Sequence, residues 1–272
     1  MRKNIIISTF VVALTFFAAM ASAAMVDSWY YSTNGIFYDF YNENGDQGNI
    51  TPSIALTLSS DIPDVDVNGY QKLVWGTWGD SQTPDGPSSL QLAEVTGYLN
   101  AGNSFENDAM SITHINNPVY APSLRGGSVF AILELTPDLP SGPALPVFST
   151  VLDFEFYETT NTVGTYTSDI FYLKNPLDTK GSFQYQDYIY YFAFSGFEQI
   201  TGDAYNKLVS DQFITDGQEI WGWTTVEGSE NTLKTRLEIT ARPAPVPEPS
   251  TMLLLGAGLL GLGALARRRA KN

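Results

Sequence analysis

Residues 64–69 read Asp-Val-Asp-Val-Asn-Gly, which is the spacing that opens a calcium-binding EF-hand loop. The twelfth position of such a loop normally supplies a bidentate Glu, and here it is Trp75. Asn42-x-Asn44-x-Asp46 is a weaker copy of the same spacing. We interpret both segments as acidic turns and expect no metal ligand and no cofactor, with Ca²⁺ as the alternative.

Paired carboxylates are the second candidate for chemistry, because glycoside hydrolysis needs two of them a few ångströms apart. Asp153 and Glu155 alternate with Leu152, Phe154 and Phe156 and therefore project from one face of a predicted strand. An acidic outer face of a sheet produces the same pattern. We therefore predict no catalytic residue and a protein that is not an enzyme, and a secreted glycoside hydrolase is the remaining alternative.

The third group is aromatic and imidazole side chains. Trp221-x-Trp223 places two indoles on one face of a strand, where they would stack on sugar rings if exposed or fill the core if buried. His114, the only histidine, lies in the sequence Thr113-His114-Ile115-Asn116. It is interpreted as a structural residue that Thr113 and Asn116 hold, with a pH-sensitive or metal contact as the alternative.

Composition limits the classes of function. The chain has 272 residues and no cysteine, which removes thiol catalysis and zinc–thiolate sites. Residues 24–246 hold eight basic and 28 acidic residues, a formal charge of −20. Such a body repels phosphate backbones and argues against nucleic-acid binding. It suits solubility, loose cation binding or contact with neutral sugar polymers.

The elements that must position these side chains are strands. Short β-branched and aromatic runs alternate with Gly, Pro and Asn turns such as Asn34-Gly35 and Asn68-Gly69. The clearest alternation is at residues 151–157, and no window offers a long amphipathic helix. The pattern predicts an all-β body at residues 24–241, an antiparallel two-sheet β-sandwich of jelly-roll type, followed by a Pro-rich spacer at residues 242–246.

Both ends of the chain look like targeting segments. Arg2 and Lys3 precede an apolar run, and Ala21-Ser22-Ala23 has the small-x-small pattern of a cleavage site. Residues 1–23 are therefore predicted to be a signal peptide for the Sec translocon and signal peptidase. Residues 251–266 are uncharged and would span about 24 Å as a single transmembrane helix. The stop-transfer residues Arg267, Arg268 and Arg269 would hold its end in the cytoplasm.

Pro247-Glu248-Pro249, the Gly/Leu-rich segment and the arginines occur in the order of a known signal. Residues 247–272 resemble the PEP-CTERM sorting signal of Gram-negative bacteria that make exopolysaccharide. The resemblance implies that exosortase, a membrane protease-transpeptidase, recognises Pro247, Glu248 and Pro249, and that the helix and arginines are discarded. It also implies an intermediate anchored in the inner membrane, and then a place on the outer surface or in the extracellular matrix.

The body resembles one group of such substrates, the THxN family. The match includes Thr113, His114 and Asn116, whose role in the family is unknown, and it spans most of residues 70–272. We therefore expect an exported cell-surface or matrix protein with a structural or adhesive role in exopolysaccharide or biofilm. A carbohydrate-binding module that contacts exopolysaccharide through Trp221 and Trp223 is the alternative.

Overall fold

The computed structural model describes residues 24–59, 66–76, 86–100, 107–119, 122–159, 168–175, 180–245, 255–262 and 267. The predicted signal peptide at residues 1–23 lies outside these residues. The described strands are β1 (Ser28–Asn42), β2 (Ile50–Ser59), β3 (Asp66–Trp75), β4 (Ser88–Ala93), β5 (Val95–Asn100), β6 (Asn107–Asn116), β7 (Leu124–Leu139), β8 (Phe148–Tyr157), β9 (Ser168–Leu173), β10 (Lys180–Tyr185), β11 (Tyr188–Ser195), β12 (Glu198–Gln199), β13 (Trp221–Val226) and β14 (Ser229–Pro243). One helix, α1 (Gly202–Ser210), lies between β12 and β13.

The strands pair in a single antiparallel sheet in the order β10-β11-β14-β6-β4-β3-β1-β7-β8-β9-β13-β12, with β2 paired to β3 and β5 to β1. The sheet is curled, a half-barrel in outline. Two side-chain bonds show how far it curls, because they join strands that are distant in this order. Asn116 Nδ2 donates to Thr225 O at 2.8 Å and Asn231 Nδ2 donates to Thr224 O at 3.1 Å, so β6 and β14 reach across to β13.

The antiparallel all-β prediction is confirmed, but the described strands form one continuous sheet rather than the two sheets of the predicted sandwich. The alternation in β8 is also confirmed, since Leu152, Phe154 and Phe156 are buried. These side chains meet Trp75 and Leu90 from the facing part of the curl in the main hydrophobic core. The two layers of that core are therefore two parts of the same sheet.

Asn34-Gly35 and Asn68-Gly69, both predicted as turns, lie inside strands. Asn34-Gly35 lies in the middle of β1, where Gly35 pairs with Ala131 of β7. A Cβ at Gly35 would stand 2.4 Å from Met110 Sδ, so the glycine allows a close approach of β6 rather than a reversal of the chain. Gly69 does the same in β3, since its Cβ would stand 2.6 Å from the backbone oxygen of Phe37.

Both ends of the body lie near the C-terminal end of β14. Pro243 pairs with Tyr188 of β11, and Ala244 N donates to Asp187 O at 2.7 Å, so the sheet continues into the predicted spacer at residues 242–246. Val26 N, near the start of the described chain, donates to Tyr190 OH on the same β11 strand at 2.7 Å. The first and last residues of the body therefore lie together beside the β10–β11 hairpin.

Among the residues that the structure describes, no helix is long and apolar enough to cross a bilayer. The predicted transmembrane helix at residues 251–266 is described only at residues 255–262, which are helical and exposed. The rest of that segment lies outside the described residues.

Candidate functional site

The Thr113-His114-Ile115-Asn116 segment forms the end of β6, and its residues point to opposite faces of the sheet. Thr113 lies on the outer face, where its hydroxyl is 2.9 Å from the hydroxyl of Thr232 on β14. His114 and Asn116 point into the curl and are buried, with 1% and 0% of their surfaces exposed. Because side chains alternate between the two faces of a strand, His114 and Asn116 both point inward.

His114 is held between aromatic rings. Its imidazole stacks on Trp75 of β3, with 5.8 Å between ring centroids, and meets the edge of Phe156 of β8 at 5.0 Å. Burial lowers the pKa of His114 to about 3, so the ring is neutral at physiological pH. Its Nε2 lies 3.9 Å from Asp169 Oδ2 and has no hydrogen-bond partner among the described residues.

Three carboxylates converge at the ends of β8, β9 and β13, and one of them, Asp169, faces this imidazole. Glu158 follows β8, Asp169 is the second residue of β9, and Glu227 follows β13. One oxygen from each lies within 4.8 Å of the others. The adjacent strands β8, β9 and β13 bring the three together, because antiparallel pairing aligns the end of one strand with the start of the next.

Only part of this carboxylate group is satisfied by hydrogen bonds. Trp75 Nε1 donates to Glu158 Oε2 at 2.9 Å, and Thr159 donates to Asp169 Oδ1 from its backbone N at 2.8 Å and its hydroxyl at 3.2 Å. Within the described part of the chain, Glu158 Oε1, Asp169 Oδ2 and both oxygens of Glu227 are buried without a donor. Each carboxyl thus turns at least one oxygen toward the interior that no N–H or O–H of the described residues reaches, and a proton on Glu158 or Asp169 would join those two carboxyls by a hydrogen bond.

Two more residues complete the group. Thr225 is opposite Asp169 in the β9–β13 pairing, and Asn116 donates to the Thr225 carbonyl. Asn116 Oδ1 and Thr225 Oγ1 are also buried and lack a partner among the described residues. We call the group of His114, Asn116, Glu158, Asp169, Thr225 and Glu227 the polar cluster.

The electrostatics of the polar cluster favour uncharged or neutralised forms. Burial raises the pKa of Glu158 well above its ordinary value, and the nearby Asp169 carboxylate raises it further. Burial also raises the pKa of Asp169 and brings that of Glu227 to about 7. Carboxylates that are costly to ionise in place are stabilised by a proton or a cation. The cluster has the donor types, carboxylate oxygens and a neutral imidazole, that hold divalent cations.

Sequence reasoning did not find the three acids of the cluster. Glu158, Asp169 and Glu227 have no shared spacing, and only the strand pairing brings them together. His114 was the one usable signal, since a metal contact was an alternative for it. The predicted absence of a metal ligand stays untested, because the positions of these side chains do not show whether they bind an ion.

The acids singled out from the sequence lie elsewhere. On the outer face of β8, Glu155 is 3.5 Å from Arg125 Nε and 3.1 Å from Lys174 Nζ. Asp153 accepts a hydrogen bond from Ser128 Oγ at 2.7 Å. Each carboxylate therefore has its own partners, which is the acidic outer face that the sequence also allowed.

The paired-indole platform is not formed. Trp223 is 7% exposed and packs on Phe171 with 4.1 Å between ring centroids, whereas Trp221 is 37% exposed. A sugar can stack only on an exposed ring. Trp223 therefore offers it no free face, and Trp221 alone stays a candidate for sugar contact.

In the weaker calcium motif, Asn42 Nδ2 donates to Asp46 Oδ1 at 2.6 Å, so these side chains close a turn. Asp64 lies outside the described residues.

The sorting signal follows the sheet directly. Pro247, Glu248, Pro249, Arg268 and Arg269 lie outside the described residues, and Arg267 is exposed. Residues 245–269 match the family model of the PEP-CTERM protein-sorting motif. A search of curated proteins found no significant match to the chain. The chain therefore carries a PEP-CTERM sorting signal, which marks an exported protein that is anchored at the membrane until exosortase cleaves it.

Proposed function

We propose that the body is a non-enzymatic structural or adhesive domain that exosortase delivers to the outer surface or extracellular matrix of a Gram-negative bacterium. Its place there is among exopolysaccharide in a biofilm, as the resemblance of residues 247–272 to the PEP-CTERM signal implies. The observation that carries the proposal is the position of the sorting motif, which begins at residue 245, two residues after the end of β14.

The pairing of β14 supports a domain that survives removal of its tail. This last strand is bonded on one edge to β6 and on the other to β11, so it is an inner strand of the sheet. Cleavage in the motif beyond residue 245 removes none of these ladder bonds. Any molecule joined at the new C-terminus would pull along β14, whose last residues are bonded to β11 and whose first residues are bonded to β6.

The arrangement of the two ends supports presentation at a surface. Residues 26 and 244 both bond to β11 or its hairpin turn, so the chain enters and leaves the body at one end. The polar cluster lies at the other end of β14, where Ser229 pairs with Asn116. With 15 residues in β14, the two ends are roughly 45 Å apart. An attached protein would hold the polar cluster away from its anchor.

Burial supports a role without catalysis. A catalytic acid or base must touch its substrate, and His114 and Asp169 are each 1% exposed. The acids of the outer face are bound by Arg125, Lys174 and Ser128. The formal charge of −20 on residues 24–246 keeps such a body soluble among neutral sugar polymers.

The intact mass of the protein recovered from cells and medium tests the proposal. We expect a species that starts near Ala24 and lacks everything beyond the PEP motif, with added mass at the C-terminus if exosortase joins it to another molecule. The matched control is Glu248→Ala, which should keep residues 251–272 and stay in the membrane fraction. If the unaltered protein also keeps those residues, exosortase does not process it and the proposal is wrong.

A second candidate, carbohydrate binding, has one specific observation in its favour. A polar cleft of about 500 Å³ lies between β12–β13 and β14, and its polar lining includes Gln199, Thr201, Thr224 and Asn231. Hydroxyl and amide groups of this kind bind neutral sugars by hydrogen bonds. In a pull-down with the exopolysaccharide, Gln199→Ala with Thr201→Ala should abolish retention if the cleft binds. Trp221→Ala should abolish it if the exposed indole binds, and no retention at all would leave only the structural role.

A further inference from the structure

The polar cluster is assembled like a ligand site rather than like a core. It gathers a buried imidazole and three carboxylates from β6 and from the ends of β8, β9 and β13. A cluster of acids alone would not indicate a ligand, but here a buried, uncharged imidazole faces one of the acids, since His114 Nε2 is 3.9 Å from Asp169 Oδ2. His114 Nε2 and Asn116 Oδ1 have no hydrogen-bond partner among the described residues, although a buried polar atom normally finds one.

We propose that His114, Glu158, Asp169 and Glu227 bind one divalent cation of the first transition row, such as Mn²⁺ or Zn²⁺, inside the curl of the sheet. Four side chains each supply one ligand atom, and Asn116 and Thr225 border the site with further free oxygens. The cation would be the partner of atoms to which the described residues supply no hydrogen-bond donor.

The spacing of the ligand atoms fits a single ion. Transition-metal bonds to imidazole nitrogen and carboxylate oxygen are about 2.0–2.2 Å long, so two ligands of one ion stand at most about 4.4 Å apart. The carboxylate oxygens lie within 4.8 Å of one another. His114 Nε2 is 3.9 Å from Asp169 Oδ2 but is not part of that group of three, so the imidazole must move toward Glu158 and Glu227 to bind the same ion. A shift of the His114 ring and a contraction of the three carboxylates would close the site around one ion, whose positive charge offsets the mutual repulsion of the carboxylates.

The ligands are also oriented by partners outside the site, as metal ligands usually are. Trp75 holds Glu158 Oε2 and stacks on the His114 ring. Thr159 holds Asp169 Oδ1 and leaves Oδ2 directed toward His114. Each of these two carboxylates thus has one oxygen occupied by the protein and one left for a cation.

The donor set selects the class of cation. Ca²⁺ and Mg²⁺ are bound by oxygen ligands, whereas imidazole favours transition metals. A neutral His114 is ready to donate its lone pair, because burial holds its pKa far below physiological pH. The competing account is a proton shared between Glu158 and Asp169, which would satisfy two oxygens without any ion and leave His114 Nε2 and Glu227 unpartnered.

The test uses the purified full chain after chelator treatment and dialysis, at ~0.5 M salt so that cations bound loosely to surface acids are screened. Mn²⁺, Zn²⁺, Ca²⁺ and Mg²⁺ are added separately, and the melting temperature and bound metal per chain are measured. We expect one equivalent of Mn²⁺ or Zn²⁺ and a rise in melting temperature of roughly 5–10 °C at a hundredfold excess over Kd.

Variants decide whether the cluster binds the ion. Asp169→Asn and Glu158→Gln keep the shape of each side chain and should weaken binding at least about 100-fold, since loss of a mere supporting residue costs 10–100-fold. His114→Asn should remove the preference for Mn²⁺ and Zn²⁺ over Ca²⁺. The matched control is Asp153→Asn on the outer face of β8, which should leave affinity unchanged.

A spectrum keeps the proposal testable if a variant fails to fold. The X-ray absorption spectrum of the Zn²⁺-loaded chain should show one imidazole nitrogen among oxygen ligands. The proposal is overturned if no cation changes the melting temperature, as the shared proton requires. It is equally overturned if binding survives Asp169→Asn, or if Ca²⁺ binds as tightly as Zn²⁺ and His114→Asn has no effect.

Discussion

Two buried regions at opposite ends of the sheet are built on different principles. Near the chain ends, Trp29 is enclosed by Phe183, Tyr185 and Tyr190 in edge-to-face contacts of 5.0 to 5.7 Å between centroids. At the other end, the polar cluster encloses three carboxylates, one of which, Asp169, faces a neutral imidazole. Every ring buried in the first region stabilises the folded protein. The desolvated carboxylates of the second region destabilise it until a proton or a cation neutralises them.

The contrast separates stability from function within one sheet. The aromatic region needs no ligand, and its Tyr190 hydroxyl accepts a hydrogen bond from Val26 N, which ties down the start of the body. The polar cluster holds buried oxygens without a hydrogen-bond donor among the described residues, whereas buried polar atoms in folded proteins normally have one. If this interpretation is right, substitutions in the two regions should change the free energy of unfolding in opposite directions.

Trp29→Ala should have the largest effect. Trp29 is fully buried, and removing its side chain leaves a cavity between the three rings that surround it. We expect the free energy of unfolding to fall by about 3–5 kcal/mol, measured by chemical denaturation of the metal-free protein. Trp29→Phe is the control and should lose less, because the rings keep a partner and an unpartnered indole N–H is removed. A loss below about 1 kcal/mol would show that this end is not a rigid core.

Asp169→Asn should act in the opposite direction in the absence of cations. The amide oxygen can still accept the bonds from Thr159, while a buried negative charge beside Glu158 is lost. We expect the metal-free protein to gain about 1–3 kcal/mol of stability, measured by the same denaturation. Asp153→Asn, on the outer face of β8, should stay within about 0.5 kcal/mol of the unaltered protein. A destabilised Asp169→Asn protein would mean that the cluster is a satisfied structural network.

Asn116→Ala and Thr113→Val compare the inner and outer faces of one strand segment. Asn116 makes the buried bond to Thr225 O that joins β6 to β13, so its loss leaves a carbonyl without a donor and should cost about 1–3 kcal/mol. Thr113 bonds Thr232 on the exposed face, where water replaces the partner, and its loss should cost less than about 0.5 kcal/mol. Equal losses in the two denaturation curves would contradict the inward role assigned to Asn116.

The strands were largely predictable from sequence because their signal is local. The alternation of Leu152, Phe154 and Phe156 with polar residues predicts which face of β8 is buried, and the structure confirms it. α1 was missed because its nine residues are too few for a clear helical period. Asn34-Gly35 misled because glycine serves both turns and close packing, and only the position of Met110 distinguishes them.

The curl and the polar cluster were not predictable because both depend on contacts between distant segments. One sheet and two sheets require the same alternating strands, and only the unbroken strand pairing from β10 to β12 decides between them. Glu158, Asp169 and Glu227 stand among 28 acids of the body, and no spacing distinguishes them from the acids of the outer face. Only His114, the single histidine of the sequence, indicated the position of the polar cluster.

A small effect is also expected on the surface, where charge is paired in water rather than buried. Lys207 Nζ donates to Asp211 Oδ2 at 2.8 Å, and Tyr157 OH donates to the same oxygen. The bond from Lys207 lowers the pKa of Asp211, and the bond from Tyr157 lowers it further. A carboxyl whose pKa is lower in the folded state stabilises the protein above its unfolded pKa of about 3.9, and the contribution is lost as pH falls through the folded pKa.

Asp211→Asn should therefore flatten the pH dependence of the melting temperature below about pH 4 and change stability by less than about 1 kcal/mol at pH 7, because solvent screens the pair. Thermal unfolding of both proteins between pH 2 and pH 7 measures the difference. Raising the salt concentration should shrink it further, whereas a salt-insensitive loss of several degrees would place Asp211 in a desolvated network. In that case the surface pair would resemble the polar cluster, and the contrast between buried and exposed carboxylates in this sheet would not hold.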